Sequence, residues 1–298
     1  MKLKRLILGL LLFLGVSVGA KADTPETYFP YPLIPDSINI FQKRCDYLAR
    51  HFWDFCDLKK AFSARSKMAK EFNVYISILK NATPDSALAS VRRFNKQLEK
   101  QPSDQLFIAN CAENLLYGDT AEVWIDELYL PFAEAVAANK KIDKASKARY
   151  THQAQVLKNS LLRGPAPSIP YTTREGVAGN LDNDSAQALV VFFNDPDCDD
   201  CNLARIRLDA DISMTELIKE GRAKVVSISL TEPTEEWKQA VASYPETWTV
   251  AASPDADMII DLRPGPPDFY VLDRRHNIHF KHLTIDQVLD VARQLKKR

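Results

Sequence analysis

The sequence predicts an all-α domain followed by an α/β domain. Between Pro35 and about Leu162 the apolar residues recur at helical spacing, and no segment alternates as a half-buried strand does. Between Arg163 and Pro170, three prolines and a glycine interrupt this pattern and favour extended backbone. Strand-like and helix-like segments then alternate to the end of the 298-residue chain. We therefore expect a helical domain over 23–162, a linker and domain entry over 163–183, and an α/β domain over 184–298.

The first helix of the N-terminal half has a regular apolar pattern. Four residues repeat at i, i+4, i+7 and i+11, the spacing of one buried helical face: Phe41, Cys45, Leu48 and Phe52. The same periodicity predicts further helices that begin at Pro84 and near Ser103, and helices over 121–138 and 142–161. The N-terminal half is therefore predicted to be built from helices alone.

The C-terminal half contains one continuous apolar run, Ala188–Phe193. The run is short enough for a central strand that is buried on both faces. A turn at 274–277 between two strand-like segments indicates a β-hairpin. Helices are predicted over 202–220, 234–243 and 285–295, and further strands over 223–228, 268–272 and 278–282. This order of strands and helices is typical of an α/β layer structure.

The composition is that of a folded globular protein, with 46% hydrophobic and 26% charged residues. Basic and acidic residues both number 39, so no basic excess indicates nucleic acid as a partner. Five cysteines are too few for a disulfide framework, and their odd number leaves at least one thiol unpaired within the chain. We interpret Cys45, Cys56 and Cys111 as core-packing thiols, with a pair that involves Cys111 as the alternative.

Residues 1–22 have the composition of a secretory signal peptide. The apolar run Leu6–Gly19 follows three basic residues, and Ala20–Ala22 is a small-x-small cleavage site. About 14 apolar residues are fewer than the roughly 20 that span a bilayer, which favours cleavage after Ala22 over a retained anchor. Cleavage also removes four basic residues and no acidic residue, which leaves a formal charge of −4. We expect an exported, periplasmic protein without stable membrane insertion, in a compartment where disulfides persist.

The segment Cys198-Asp199-Asp200-Cys201 follows the buried strand and begins the next helix. Three residues advance about 4.5 Å along a helix, which lies within the span that a disulfide bridges. The two sulfurs can therefore join or part without a change of fold. The positive end of the helix favours a thiolate at Cys198. We predict Cys198 as the attacking sulfur and Cys201 as the resolving sulfur.

From Pro165 to Arg298 the chain resembles the thioredoxin superfamily, in particular the exported thiol-disulfide oxidoreductases of bacteria. The resemblance rests on ALVVFFNDPDCDDC over 188–201 and on GPPDFYVLD over 265–273. It implies a thioredoxin-like α/β fold, a redox-active cysteine pair and no cofactor. The implied partners are protein thiols or disulfides and an unidentified redox partner. It also implies a cis-proline at Pro267, which with Pro266 lines the groove for the substrate backbone.

The whole chain also looks like a two-domain type of Bacteroidetes, in which a helical domain of unknown function precedes the redox domain. The segment that carries this likeness is YLARHFWD, residues 47–54. In such an arrangement, the helical domain would select or orient the partners of the redox domain.

The sequence departs from the family pattern around the cysteines. Asp197 replaces the usual Trp before Cys198, and Asp268 follows Pro267 where Thr is common. Four carboxylates stand close to the two sulfurs in the sequence: Asp195, Asp197, Asp199 and Asp200. Because negative charge disfavours a second negative charge nearby, we assign Asp197, Asp199 and Asp200 as residues that raise the pKa of Cys198. A less stabilised thiolate predicts a reducing rather than an oxidising protein.

Other interpretations of the cysteine pair remain open. The pair could be a permanent structural disulfide or an inert remnant, and the protein would then be a binding or scaffold protein whose helical half recognises a partner. A peroxidase of the same fold is disfavoured, because Asp197 stands where that family has Thr before its reactive cysteine. The choice between oxidoreductase and binding protein depends on whether Cys198 exchanges disulfides.

A metal site would need ligands beyond the cysteine pair. The candidates are three histidines of the predicted hairpin, His276, His279 and His282. His279 and His282 point to opposite faces of a strand, so they do not form one site. We expect no metal and interpret all three histidines as surface residues of the hairpin.

Overall fold

The computed structural model describes residues 27–184 and 186–297, so the predicted signal peptide lies outside the described residues. The chain divides into two compact units, residues 1–154 and 155–298. The first is all-α and the second is α/β, which confirms the fold class predicted from the sequence. In the part of the chain that the structure describes, no helix has the length and apolar character needed to cross a membrane.

The helices of the N-terminal part each bury one apolar face. Their bounds are α1 (Phe41–His51), α2 (Leu58–Ala61), α3 (Arg65–Leu79), α4 (Pro84–Leu98), α5 (Pro102–Leu116), α6 (Asp126–Ala138) and α7 (Lys144–Lys158). Helices α4 and α5 begin with a proline, whose fixed φ and missing N–H suit a first turn. Helices α2 and α3 were not predicted, although Met68, Phe72 and Tyr75 repeat along α3 at helical spacing and are fully buried.

Aromatic side chains form the centre of the helical unit. Trp53 and Phe94 stack with ring centres 4.4 Å apart, and Tyr75 lies 5.1 Å from Trp53. Such contacts contribute about 0.5–1.5 kcal/mol each beyond the burial of apolar area. The hydroxyls of Tyr75 and Ser90 share a hydrogen bond of 2.7 Å, so this polar group of the core is satisfied. The YLARHFWD segment therefore supplies a core residue, Trp53, rather than an exposed binding motif.

All five cysteines of the chain are free thiols. Cys45 is fully buried on α1, which confirms its predicted packing, whereas Cys56 and Cys111 are half-buried. Burial is the main cause that raises the pKa of Cys45 and of Cys56 to about 11, and it also raises the pKa of Cys111. The three thiols of the helical unit are therefore protonated, and weakly reactive, at neutral pH.

Seven strands of the second unit form one mixed sheet in the order β2-β1-β5-β4-β3-β6-β7. The strands are β1 (Pro170–Thr173), β2 (Ala178–Asn180), β3 (Ala188–Asn194), β4 (Ala223–Ser229), β5 (Thr249–Ala252), β6 (Asp268–Asp273) and β7 (Ile278–Leu283). The helices are α8 (Asp199–Ala210), α9 (Ile212–Lys219), α10 (Glu235–Ala240) and α11 (Ile285–Lys296). Strand β3 pairs with β4 in parallel and with β6 in antiparallel orientation.

Strand β3 is buried over its whole length, as its continuous apolar run predicts. Phe192 faces the layer that contains Cys201 of α8 and Val288 of α11. Phe193 faces the opposite layer, where its ring lies 5.7 Å from that of Tyr270. Apolar layers on both faces hold β3 at the centre of the sheet, and the strand ends at the CxxC segment.

Three strands were not predicted from the sequence: β1, β2 and β5. Strands β1 and β2 lie within 163–183, the segment expected as linker and domain entry, and have only four and three residues. The helix predicted over 202–220 is two helices, α8 and α9. Asp211 has extended backbone and caps α9, because its Oδ1 accepts the N–H of Met214 at 2.9 Å.

Candidate functional site

The two cysteines of the CxxC motif lie where β3 leads into α8. Cys198 is the N-cap residue of α8, and its Sγ accepts the N–H of Cys201 at 3.1 Å. Cys198 is half-buried, whereas Cys201 is fully buried among the side chains that cover one face of the sheet. The sulfur of Cys198 thus occupies a helix cap, where amide groups and the helix dipole favour negative charge.

The turn before Cys198 is held by backbone and side-chain hydrogen bonds. Asp195 accepts two of these bonds. Its carbonyl accepts the N–H of Cys198 at 3.1 Å, and its Oδ1 accepts the N–H of Asp197 at 3.0 Å. The amide of Asn202 donates to the carbonyl of Pro196 at 2.9 Å. These bonds fix the direction in which the chain leaves β3 and enters α8, and so the position of the Cys198 sulfur.

Cys201 is in the neutral thiol form at neutral pH. Burial raises its pKa to about 12, and the hydrogen bond with Cys198 acts in the same direction, whereas a backbone hydrogen bond with Asp195 opposes it. The carboxylate charge of Asp195 raises the pKa of Cys201 as a smaller contribution. The aspartates assigned from the sequence are exposed, where solvent and salt screen their charges: Asp197, Asp199 and Asp200. Their effect on Cys198 stays a prediction.

A buried polar network lies at the end of β3. The side-chain amide of Asn194 donates to Ser227 Oγ at 2.8 Å, and the hydroxyl of Tyr244 donates to Asn194 Oδ1 at 3.3 Å. The guanidinium of Arg205, on α8, lies 4.8 Å from the centre of the Tyr244 ring. Burial raises the pKa of Tyr244 to about 12, so it keeps its proton. We did not predict this network from the sequence. The one indication of it there is Asn194, a polar residue directly after the apolar run Ala188–Phe193.

The peptide bond between Pro266 and Pro267 is cis, as the resemblance implies. Residues 262–267, which we call the Pro267 loop, lead into β6, whose first residue Asp268 pairs with Phe193 of β3. Strands β3 and β6 are antiparallel, so the end of β3 and the start of β6 share one edge of the sheet. The topology therefore brings the Pro267 loop and the CxxC motif to the same edge.

The interpretation of all three histidines as surface residues is wrong for His282. Its imidazole lies 2.9 Å from Asp268 Oδ2 and 3.2 Å from Asp261 Oδ2, and its side chain is only 13% exposed. The backbone of His282 has a positive φ, an uncommon conformation that its neighbours in sequence did not indicate. Across 27–184 and 186–297, no group of three or more His, Cys, Asp or Glu residues has a geometry that could hold a metal ion.

Comparisons with known proteins find matches to both halves of the chain. Residues 17–160 match a family described as a domain of unknown function, DUF5106. No curated protein matches the chain. Among solved structures, a thioredoxin-like protein from Bacteroides caccae is 21% identical with a TM-score of 0.69, and the match covers 90% of this chain and 99% of that protein.

Two shorter structures match only part of the chain. The C-terminal domain of an uncharacterized protein from Bacteroides fragilis is 26% identical with a TM-score of 0.42, over 45% of this chain and 99% of its own. The thioredoxin domain of a thiol-disulfide oxidoreductase from Bacteroides vulgatus is 19% identical with a TM-score of 0.38, over 45% of this chain and 97% of that structure. Residues 17–160 are thus similar to the DUF5106 family, and the likeness to the Bacteroides caccae structure shows a thioredoxin-like fold.

Proposed function

We propose that the protein is an exported thiol-disulfide oxidoreductase that reduces or exchanges disulfides of partner proteins. The observation that supports this function is the position of Cys198 at the N-cap of α8, with its sulfur bonded to the N–H of Cys201. A half-buried sulfur at a helix N-terminus is suited to attack, and a buried sulfur one turn further is suited to resolve. The chemistry needs no cofactor, only an external electron donor or acceptor.

In the reducing direction, the thiolate of Cys198 attacks one sulfur of a partner disulfide. A mixed disulfide forms, and the second sulfur of the partner leaves as a thiolate and takes up a proton. Cys201 then gives its proton to solvent and attacks Cys198, which forms the intramolecular disulfide and expels the remaining partner sulfur as a thiolate. That thiolate takes up a proton from solvent, so the partner leaves as a dithiol. The partner gains two electrons, the cysteine pair loses two, and an external thiol donor restores the pair.

The two steps are ordered by the ionisation of Cys201. A hydrogen bond with Cys198 and the charge on Cys198 are among the causes that raise the pKa of Cys201, after burial. A mixed disulfide at Cys198 removes that charge. Cys201 therefore ionises more easily once a partner is attached to Cys198. Before that, Cys201 stays a neutral thiol and does not compete with Cys198 in the attack on the partner's disulfide.

We assign Pro267, with Pro266 before it, as the contact for the extended backbone of the partner. The support for this role is the common sheet edge that the Pro267 loop shares with the CxxC motif. Export is proposed from the signal-like composition of residues 1–22, with cleavage after Ala22. N-terminal sequencing of the protein recovered from the periplasm tests this cleavage site directly.

A trapping experiment tests the function. The Cys201→Ser variant cannot resolve a mixed disulfide, so it should retain partners as slowly migrating bands on nonreducing gels that dithiothreitol removes. The matched control, Cys198→Ser with Cys201→Ser, should retain none. If neither variant traps a partner, and the disulfide that Cys198 and Cys201 form in the oxidised wild type resists dithiothreitol, the protein is not an oxidoreductase of this kind.

A reducing character is proposed from the acidic surroundings of the cysteine pair. Replacing Asp197, Asp199 and Asp200 together by Asn should move the reduction potential toward more oxidising values, because the thiolate form is then opposed by less negative charge. Equilibration with glutathione buffers measures the potential of both proteins. A wild-type potential as high as that of disulfide-forming enzymes, about −120 mV, would contradict the proposal.

A second candidate function is supported by a cavity of the helical unit. The cavity has a volume of about 650 Å³, a size typical of small-molecule sites, and three cationic side chains line it: Arg65, Lys141 and Arg149. On this interpretation the protein is a binding or scaffold protein whose helical half recognises a ligand, and the C-terminal half is structural. The trapping experiment separates the two candidates, because only the oxidoreductase forms covalent partners through Cys198.

A further inference from the structure

One imidazole reaches both ends of the Pro267 loop. Asp261 directly precedes this loop and Asp268 directly follows it. His282, on the neighbouring strand β7, places Nε2 at 3.2 Å from Asp261 Oδ2 and Nδ1 at 2.9 Å from Asp268 Oδ2. A single side chain therefore bonds the residue that starts the loop and the residue that ends it.

The groups of this cluster are buried and charged. Asp261 and Asp268 are each 1% exposed. Arg263 pairs with Asp261 through two nitrogens, with Nε at 2.9 Å from Oδ1 and one terminal nitrogen at 2.6 Å from Oδ2. Lys281 of β7 places Nζ at 3.7 Å from Asp261 Oδ2. Asp261 thus faces the two cations and the imidazole, whereas Asp268 faces the imidazole.

When Asp261 and Asp268 are both ionised, the two bonds of His282 need the protonated imidazole. An ionised carboxylate only accepts hydrogen bonds, and a neutral imidazole donates from one nitrogen alone. Burial by itself would lower the pKa of His282, but the bonds to Asp261 and Asp268 outweigh it and raise the pKa above the ordinary 6.5. Burial would raise the pKa of Asp261, but the bonds from His282 and Arg263 bring it well below its usual range. Asp268 differs, because burial raises its pKa despite the bond with His282.

We propose that His282 is a positioning residue that holds the Pro267 loop in the geometry that receives the partner's backbone. This role rests on the proposed oxidoreductase function. The loop contains the assigned partner contact, Pro267, and its two ends are fixed through Asp261 and Asp268. Loss of the bridge removes the imidazole donor from both ends of the loop: Asp261 keeps its pairing with Arg263, whereas Asp268 keeps its backbone bond at Phe269. The loop then shifts to reach other donors or solvent.

The role predicts which steps depend on His282. Cys198 lies at the junction of β3 and α8, and none of the hydrogen bonds found for it involves the histidine cluster. Attack of Cys198 on a small reagent should therefore be independent of His282, whereas productive docking of a polypeptide disulfide should depend on it. As the pH rises through the raised pKa of His282, one of its two bonds loses its donor, and docking weakens.

The test compares His282→Gln with His279→Gln in the full chain. His279 lies on the same strand and is exposed, so it is the matched control. Insulin is the polypeptide substrate, and dithionitrobenzoate is the small disulfide. We expect His282→Gln to raise KM for insulin about tenfold with little change in kcat, to flatten the pH dependence of KM, and to leave the dithionitrobenzoate rate at Cys198 unchanged. His279→Gln should behave as the wild type.

The outcomes that overturn the proposal are distinct from failure of the proposed function. A His282→Gln variant with the KM and pH profile of the wild type overturns it, and so does an equal loss with both disulfides, which indicates general damage to the fold. Amide NMR resonances of Leu262, Arg263, Gly265 and Asp268 provide a measurement that needs no substrate. In the wild type they should titrate together with the His282 ring, and independent titration overturns the proposal even if the protein reduces no insulin or the variant does not fold.

Discussion

At the scale of single residues, the two cysteines of one motif have different surroundings. Cys198 caps a helix and is half-buried, whereas Cys201 is fully buried and has a pKa of about 12. At pH 7 a thiol of that pKa is ionised to about one part in 10⁵. The difference in reactivity between the two sulfurs therefore comes from their positions in the fold, since both belong to the same four-residue motif.

Limited alkylation should show this difference. With substoichiometric iodoacetamide at neutral pH, we expect Cys198 to be modified first among the five cysteines, because the other four thiols have raised pKa values. Peptide mass spectrometry identifies the modified residue, and alkylation in denaturant should remove the preference. Earlier modification of Cys201 than of Cys198 would reverse the roles assigned to them.

The sequence predicted the cysteine pair and the Pro267 position, but not the histidine cluster. Four residues carry the CxxC signal, so a local pattern is enough to find it. Asp261, Asp268 and His282 are separated by up to 21 residues and meet only because β6 and β7 pair. Asp268 was recognised as a departure from the family pattern, yet its partner could not be known without the register of the hairpin. The regular alternation of side chains along a strand did not predict the buried position of His282. A positive φ at His282 and a shift in register between β6 and β7 interrupt that alternation.

At the scale of elements, strand β3 supports the site. Phe192 is fully buried and stacks on Phe269 of β6 with ring centres 4.5 Å apart. It lies six residues before Cys198, in the layer that also holds Cys201. The long apolar run made this strand predictable, whereas the short strands β1 and β2 have too few residues to show a period of two.

Truncation of Phe192 should therefore destabilise the C-terminal half. Phe192→Ala is expected to cost about 3–5 kcal/mol, because it removes a buried ring and leaves a cavity. Phe280→Ala, at a position that is 37% exposed, is the control and should cost about 1 kcal/mol or less. Urea unfolding followed by circular dichroism measures both, and equal losses would show that β3 is not the centre of the core.

At the scale of the whole molecule, the hydrogen bonds found around the candidate site fall within the second unit. Two of them lie furthest toward the N-terminus. The side-chain amide of Asn159 donates to the carbonyl of Ile259 at 2.7 Å, and the N–H of Asp261 donates to Ser160 Oγ at 2.8 Å. The site is thus built on the thioredoxin-like half. The helical half, with its aromatic core and its cavity, forms a separate compact unit.

Separate expression tests this division of roles. A fragment of residues 155–298 should fold and react with dithionitrobenzoate at the rate of the full chain, because it retains the contacts described around Cys198. We expect the two proteins to differ in the partners that their Cys201→Ser variants trap, since the helical domain is proposed to select partners. A folded fragment that has lost the reactivity of Cys198 would show that the helical domain completes the site.

The sulfur cap of α8 has a consequence for the backbone around it. A thiolate accepts the N–H of Cys201 more strongly than a neutral sulfur does, because charge-assisted hydrogen bonds are the stronger ones. Any reaction that consumes the thiolate, including capture of a partner, therefore weakens the bond that starts the helix. If the proposed exchange takes place, the first turn of α8 is firmer while Cys198 is a thiolate than it is in the mixed disulfide. The backbone of this turn would then differ between the stages of the exchange.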